Sequence, residues 1–378
     1  MIVRRNTCVA IVIAAILFLM IASQRIQRRY FLSQSGVPLS PLSGQAPPNQ
    51  TPELIPPHLI KPEEREEDTE EEDVAKVMDS ACPAIPRSDC CVSYCFRVCG
   101  CSDSCISGLN RSEWFKQRYN DAQQPILQDT GNTFDPDALS WWLSLQRSRN
   151  DQTLENVMSK MFQVIAPPTV DFKPLPSRCR SCAVVGNSGN LRHSGHGKLI
   201  DSHGFVFRMN KAVTKGFEED VGNRTTHHFL YPESAVDIAH GISLVLLPFK
   251  LRDLEWLTSA LSTGDIKMTY MRVKERVQAD KDKVLVVNPT FFKYVHDRWT
   301  EQHGRYPSTG MLAIIFSLHA CDQVSVFGYG ADKQGNWHHY WEENQFAGAF
   351  KKTGVHSADF ERQLIQKLAS EGKITLYL

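Results

Sequence analysis

The apolar positions of this chain fall into three regimes. Residues 8–22 form an unbroken apolar run, and no charge appears between Arg5 and Arg25. With its neutral flanks the run is just long enough to span a thin bilayer as a helix. A cleaved signal peptide is the alternative, but no Ala-x-Ala site follows the run; Arg25, Arg28 and Arg29 follow instead. A signal anchor at residues 8–24, behind a short tail of residues 1–7, fits better. Arg4 and Arg5 favour a cytoplasmic N-terminus, and the three arginines beyond the run compete with them, so orientation rests on features further along.

In the second regime, residues 25–98, the apolar pattern disappears. Prolines recur from Pro38 to Pro62, and an acidic run covers residues 63–73. Such a composition cannot bury a core and predicts an extended stem. In the third regime, residues 99–378, two periods alternate. Helical spacing marks residues 138–146, 154–165, 308–320 and 358–369, and short apolar runs mark residues 183–185, 243–249, 283–287, 324–327 and 374–378. That alternation predicts one α/β domain, with a mostly parallel sheet flanked by helices.

Composition changes this picture only at the cysteines. The chain has 42 basic and 42 acidic residues, and no basic patch interleaved with aromatics, so a nucleic-acid partner is not indicated. Of its eleven cysteines, seven lie between Cys82 and Cys105, without two clean C-x2-C pairs and with no histidine among them. That argues against a zinc module and for disulfides in an oxidising lumen. Sequons at Asn49, Asn110 and Asn223 agree with a lumenal location.

Four stretches carry candidate chemistry. Residues 179–190 run from a short apolar strand into a turn with Gly186 and Gly189; it could bring backbone amides to a phosphate or sugar, or make only a tight turn. It is neither a GxGxxG fingerprint nor a P-loop. Ser308, Thr309 and Gly310 open an apolar helix, either as a plain N-cap or as an anion site. Gly328 and Gly330 follow a strand directly, where open α/β sheets place ligands. Residues 337–341 (Trp-His-His-Tyr-Trp) are followed by His356, and histidine is suited to proton transfer near neutral pH. A helix predicted to start at Ser357 would keep the His356 imidazole neutral. Asp135 and Asp137 have the Asp-x-Asp spacing of metal-dependent nucleotide-sugar transferases, but with Pro136 between them they read as a helix start. No metal is expected.

Taken in order, these motifs resemble the sialylmotifs of the animal sialyltransferases. Residues 179–212 look like the large motif and residues 288–321 like the small one. Residues 338–342 are similar to the third motif, and His356 with Glu361 to the very small one. Trp141, Trp142 and the stretches 304–310, 335–341 and 352–356 are most similar to the α2,3 group acting on Galβ1-3GalNAc. The resemblance implies a Rossmann-like, variant GT-A fold and a single-pass type II protein of the Golgi membrane, with its catalytic domain, residues 99–378, in the lumen. It implies that Asn187, Asn210, Ser308, Thr309, Gly310, Gly330, Tyr270 and His339 bind CMP-sialic acid. Gln146, Tyr306 and Trp337 would meet a galactose-terminated glycan on protein or lipid. His356 would be the general base and His339 would face the leaving phosphate, in one inverting displacement without a cofactor. Cys182 would pair with Cys321, and Cys179 with one of Cys99, Cys101 and Cys105; the pairing of Cys82, Cys90, Cys91 and Cys95 stays open. Rival readings are another galactoside as acceptor, an inactive glycan-binding homologue lacking a base, or a structural disulfide-rich membrane protein.

Overall fold

The computed structural model describes residues 100–101, 105–106, 112–132, 134–146, 152–170, 172–331, 337–343 and 354–378. The chain divides into two compact units, Met1–Ala81 and Cys82–Leu378, and every described residue belongs to the second. The span expected at residues 8–24, the stem, Cys99 and the sequons at Asn49 and Asn110 lie outside the described residues. Among the described residues no helix is long and apolar enough to cross a membrane.

Three helices precede the sheet: α1 (Glu113–Lys116), α2 (Pro136–Ser144) and α3 (Leu154–Phe162). Asp135 caps α2, accepting from the amides of Asp137 and Ala138, with Pro136 in the first turn. The Asp-Pro-Asp triplet is therefore a helix start. Then follow β1 (Ser181–Val185), α4 (Gly197–Ser202), β2 (Phe205–Met209), α5 (Glu218–Val221), β3 (His227–Leu230), β4 (Ser243–Leu246) and α6 (Leu251–Ala260). The chain ends with β5 (Val284–Val286), α7 (Pro289–Tyr294), α8 (Thr309–Ala320), β6 (Gln323–Phe327), α9 (Ala358–Ser370) and β7 (Thr375–Tyr377).

All seven strands are parallel, in the order β5-β4-β3-β2-β1-β6-β7. Alternate residues face opposite layers, as the pleat requires. Val184, Phe207, Phe229, Val245 and Leu285 point to the layer holding α8. Ala183, Val185 and Val206 meet Ile200 of α4 and Val221 of α5, while Leu244, Leu246 and Val286 meet α3 and α6. Helix α8 is buried on every side from Met311 to Ala320, which explains why its sequence there is apolar apart from Ser317 and His319.

Two strands escape the apolar-run pattern. In β2 the fully buried Arg208 interrupts it; its guanidinium donates to the Val221 and Arg224 carbonyls and the Thr225 hydroxyl. In β3, His227 and His228 stand where aliphatics would mark a strand, and His228 Nε2 lies 2.6 Å from the Asn210 carbonyl. Burial lowers the pKa of both histidines, that of His227 to about 4, so both are neutral.

Cys182 of β1 is bonded to Cys321 at the end of α8, and Cys101 to Cys179. Cys105 is also in a disulfide. Asn223 is exposed.

Candidate functional site

The strand order reverses between β1 and β6, and beyond their carboxyl ends opens a cleft of about 850 Å³. The loops after β1 and β6 cross there at close range. Gly186 N donates to the Phe327 carbonyl at 2.8 Å and Ser188 N to Gly328 at 3.1 Å. A Cβ on Gly186 would lie 2.3 Å from the Gly328 carbonyl oxygen, so this glycine serves the crossing of two backbones.

Asn187 and Asn210 stand at the ends of β1 and β2. Asn210 is left-handed, at φ 58°, a conformation asparagine tolerates better than most residues. Asn187 Nδ2 donates to the Met209 carbonyl at 3.1 Å. The Oδ1 atoms of both carboxamides are buried and accept no hydrogen bond, leaving two acceptors in the cleft wall.

Opposite them is the N-terminus of α8. The Ser308 hydroxyl accepts from Met311 N at 3.1 Å and donates to Glu361 Oε2 at 2.5 Å, while Ser308 N donates to Glu361 Oε1 at 2.8 Å. Ser308 is thus occupied within the protein. The amides of Thr309 and Gly310 find no acceptor among the described residues, and both residues line the cleft. Unpaired amides at a helix N-terminus are suited to accepting an anion. Burial pushes the Glu361 carboxyl up to about 7, against the two Ser308 bonds.

Residues 337–342 lie across the turn after β1. Gly189 N donates to the His338 carbonyl at 2.8 Å and Tyr340 N to the Asn187 carbonyl at 3.2 Å. Trp337, His338 and His339 line the cleft with Gly330. His339 stacks on Trp341 at 4.5 Å, and its Nδ1 lies 3.0 Å from Glu342 Oε1. That bond holds the Glu342 carboxyl below its usual range, and Lys211 adds to the effect.

His356 lines the cleft just before α9, as the sequence predicts. Its Nδ1 lies 2.9 Å from the Tyr306 carbonyl oxygen. A carbonyl only accepts, so Nδ1 is assigned the proton and the neutral ring keeps its lone pair on Nε2. Burial lowers the pKa, opposed by the Tyr306 bond. Desolvation leads this shift, in the same direction as expected for a histidine that precedes a helix. Gly304, at φ 77°, pairs with His356; a Cβ there would lie 2.9 Å from Ser357 N, so only glycine admits this approach.

Three expected residues lie beside the cleft lining. Tyr306 meets the His356 ring edge-on at 5.1 Å, and Gln146 Nε2 lies 3.4 Å from the Tyr306 hydroxyl. Tyr270 is 59% exposed, on a turn near Tyr231 and Tyr306. Sequence reasoning missed Tyr231 and Tyr329, which line the cleft, and gave Glu361 no role. Tyr329 had a visible signal, lying between Gly328 and Gly330 directly after a strand.

Residues 127–373 match the model of glycosyltransferase family 29 (sialyltransferase). The chain is 52% identical over 281 residues to the mouse CMP-N-acetylneuraminate-beta-galactosamide-alpha-2,3-sialyltransferase 2, covering 74% of this chain and 80% of that protein. It is 50% identical over 283 residues to the human sialyltransferase 1 of the same description, covering 74% and 83%. The crystal structure of a mammalian sialyltransferase in complex with Gal-beta-1-3GalNAc-ortho-nitrophenol superposes with a TM-score of 0.68 at 48% identity, over 74% of this chain and 99% of that one. The chain belongs to glycosyltransferase family 29, the sialyltransferases.

Proposed function

We propose that this protein transfers sialic acid from CMP-sialic acid to the 3-hydroxyl of a terminal galactose, in Galβ1-3GalNAc ends of O-glycans or glycolipids. The observation that carries the reading is one cleft holding both an anion-binding helix end and a neutral histidine whose Nδ1 proton is engaged by the Tyr306 carbonyl. The relatives' names and the disaccharide in the related crystal structure support the linkage and the acceptor.

In this mechanism the carboxamide oxygens of Asn187 and Asn210 accept from the CMP moiety. The phosphate meets the Thr309 and Gly310 amides, with Gly330 close by. His339 and Tyr270 complete the donor side, and Gln146, Tyr306 and Trp337 the acceptor side. His356 Nε2 takes the proton from the galactose 3-hydroxyl while that oxygen bonds to the anomeric carbon. The bond from the anomeric carbon to the phosphate oxygen breaks, and charge developing on CMP is stabilised by the helix end and His339. Attack and departure on opposite faces invert the anomeric centre. Ser308 acts indirectly, by holding the helix end through Glu361. With these charge partners in place the reaction needs no metal.

The same reading makes the chain a single-pass type II protein of the Golgi membrane, anchored by residues 8–24 with its folded unit in the lumen. The disulfides and the exposed Asn223 sequon support it. Assaying the full chain with CMP-sialic acid against a panel of galactosides tests the activity. Galβ1-3GalNAc is expected to be sialylated fastest; transfer confined to other acceptors would overturn the acceptor assignment.

A further inference from the structure

A second polar assembly lies at the same edge of the sheet. Glu233 sits in a short turn, Pro232–Ser234, directly after β3. Lys250 and Asp253 begin α6, which follows β4. Their side chains are 4%, 2% and 0% exposed respectively. Lys250 Nζ lies 3.1 Å from Glu233 Oε1 and 2.6 Å from Asp253 Oδ1. The Thr269 hydroxyl donates to the same Glu233 oxygen.

Thr269 belongs to a tight turn, closed by pairing of Met268 with Arg272 and by a 3.0 Å bond from Thr269 N to the Met271 carbonyl. Tyr270 stands at its tip, with Lys250 Nζ 4.9 Å from the ring centroid. Met268 and Met271 are 52% and 47% exposed, so apolar packing does not seat the tip. Among the described residues, the side-chain contacts joining the tip to the body are the Thr269 bond and the cation under Tyr270. Burying one ammonium between two carboxylates costs desolvation that an apolar cluster of equal volume would avoid. What it provides here is a charged acceptor of fixed position, and charge-assisted hydrogen bonds are the stronger kind.

We propose that Glu233 is a positioning residue for donor binding: held by Lys250, it tethers Thr269 and so keeps Tyr270 at the rim of the cleft beside Tyr306. The inference rests on the reading of Tyr270 as a CMP-sialic acid contact. Thr269→Val keeps the shape of the side chain and removes the donor, whereas Thr269→Ser keeps the donor.

The test measures KM for CMP-sialic acid, kcat and Tm on the full chain carrying Thr269→Val, Thr269→Ser or Tyr270→Ala. Thr269→Val is expected to raise the donor KM about tenfold, equivalent to ~1.4 kcal/mol. Its kcat should stay within about twofold, as for lost binding that is uniform between ground and transition state. Thr269→Ser should restore the wild-type KM, and Tyr270→Ala should raise it at least as far as Thr269→Val. If Tyr270→Ala raises KM and Thr269→Val does not, the tether is wrong while the donor-site reading stands. If Tyr270→Ala leaves KM unchanged, Tyr270 is no donor contact and the tether falls with it. A lower Tm with unchanged KM in Thr269→Val would make the bond purely structural and overturn the proposal.

Discussion

At the scale of single residues, His356 is set by one bond and one environment. The Tyr306 carbonyl assigns its tautomer and burial keeps it neutral. If it removes the acceptor proton, His356→Ala should lower kcat by roughly 10²–10⁴-fold, the range of positioned proton transfer. CMP affinity should change little, because on the proposed reading the nucleotide is held by Asn187, Asn210 and the helix end. His339→Ala should weaken donor binding as well as turnover. Steady-state kinetics and CMP titration on both variants separate these outcomes; near-normal kcat in well-folded His356→Ala would remove it as the base. The pH profile carries the same signature. A base must be deprotonated to act, and burial lowers the His356 pKa below the ordinary imidazole value of 6.5. The acid limb of kcat/KM is therefore expected below pH 6.5, and a limb above it would contradict the account.

At the scale of elements, the Glu361–Ser308 pair joins the start of α9 to the cap of α8 and so links the loop of His356 to the anion site. The folded carboxyl has its pKa raised to about 7 from 4.5. Between those values the folded state holds a proton that the unfolded state has released, so stability falls as pH rises from 4.5 to 7. One such group contributes a slope of at most ~1.4 kcal/mol per pH unit. Glu361→Gln should remove that component, which Tm measured at pH 5 and pH 8 would show; an unchanged pH dependence would count against a protonated Glu361. The Cys182–Cys321 bridge spans a sequence separation of 139 and ties β1 to α8. Removing it should cost about 3–5 kcal/mol by loop-closure entropy, measurable as lost Tm in the double alanine variant.

Elements also show what the sequence could and could not reveal. Helix α8 and strands β1, β4, β5 and β6 were legible because their buried residues are mainly apolar, and β7 because it continues an apolar run from the buried Ile374. Strands β2 and β3 were not, because Arg208, His227 and His228 are buried polar residues; Arg208 and His228 find their partners only in the folded chain. The glycine turn at residue 186 was seen but its purpose was not, since the Gly328 backbone that crowds it lies far along the chain.

At the scale of the whole molecule, the sheet order creates the site. Reversal between β1 and β6 brings together segments from residues 186 to 378 at one edge, an assembly that no local pattern shows. The residue types suited to the chemistry were readable, and their roles came from the resemblance of the ordered motifs. The links among them, such as Glu361 to Ser308 or Thr269 to Glu233, exist only in three dimensions. The account also assigns the donor's charge to helix amides and histidine, so activity should persist in EDTA; loss on chelation with recovery in manganese would show a metal requirement.

The most direct measurement is the structure of the product. The full chain is incubated with CMP-sialic acid and Galβ1-3GalNAc, and the trisaccharide is resolved by NMR. The account predicts sialic acid on O3 of the galactose, with an anomeric configuration opposite to that of the donor. Attachment at another hydroxyl, retention of configuration, or no transfer at all would contradict it.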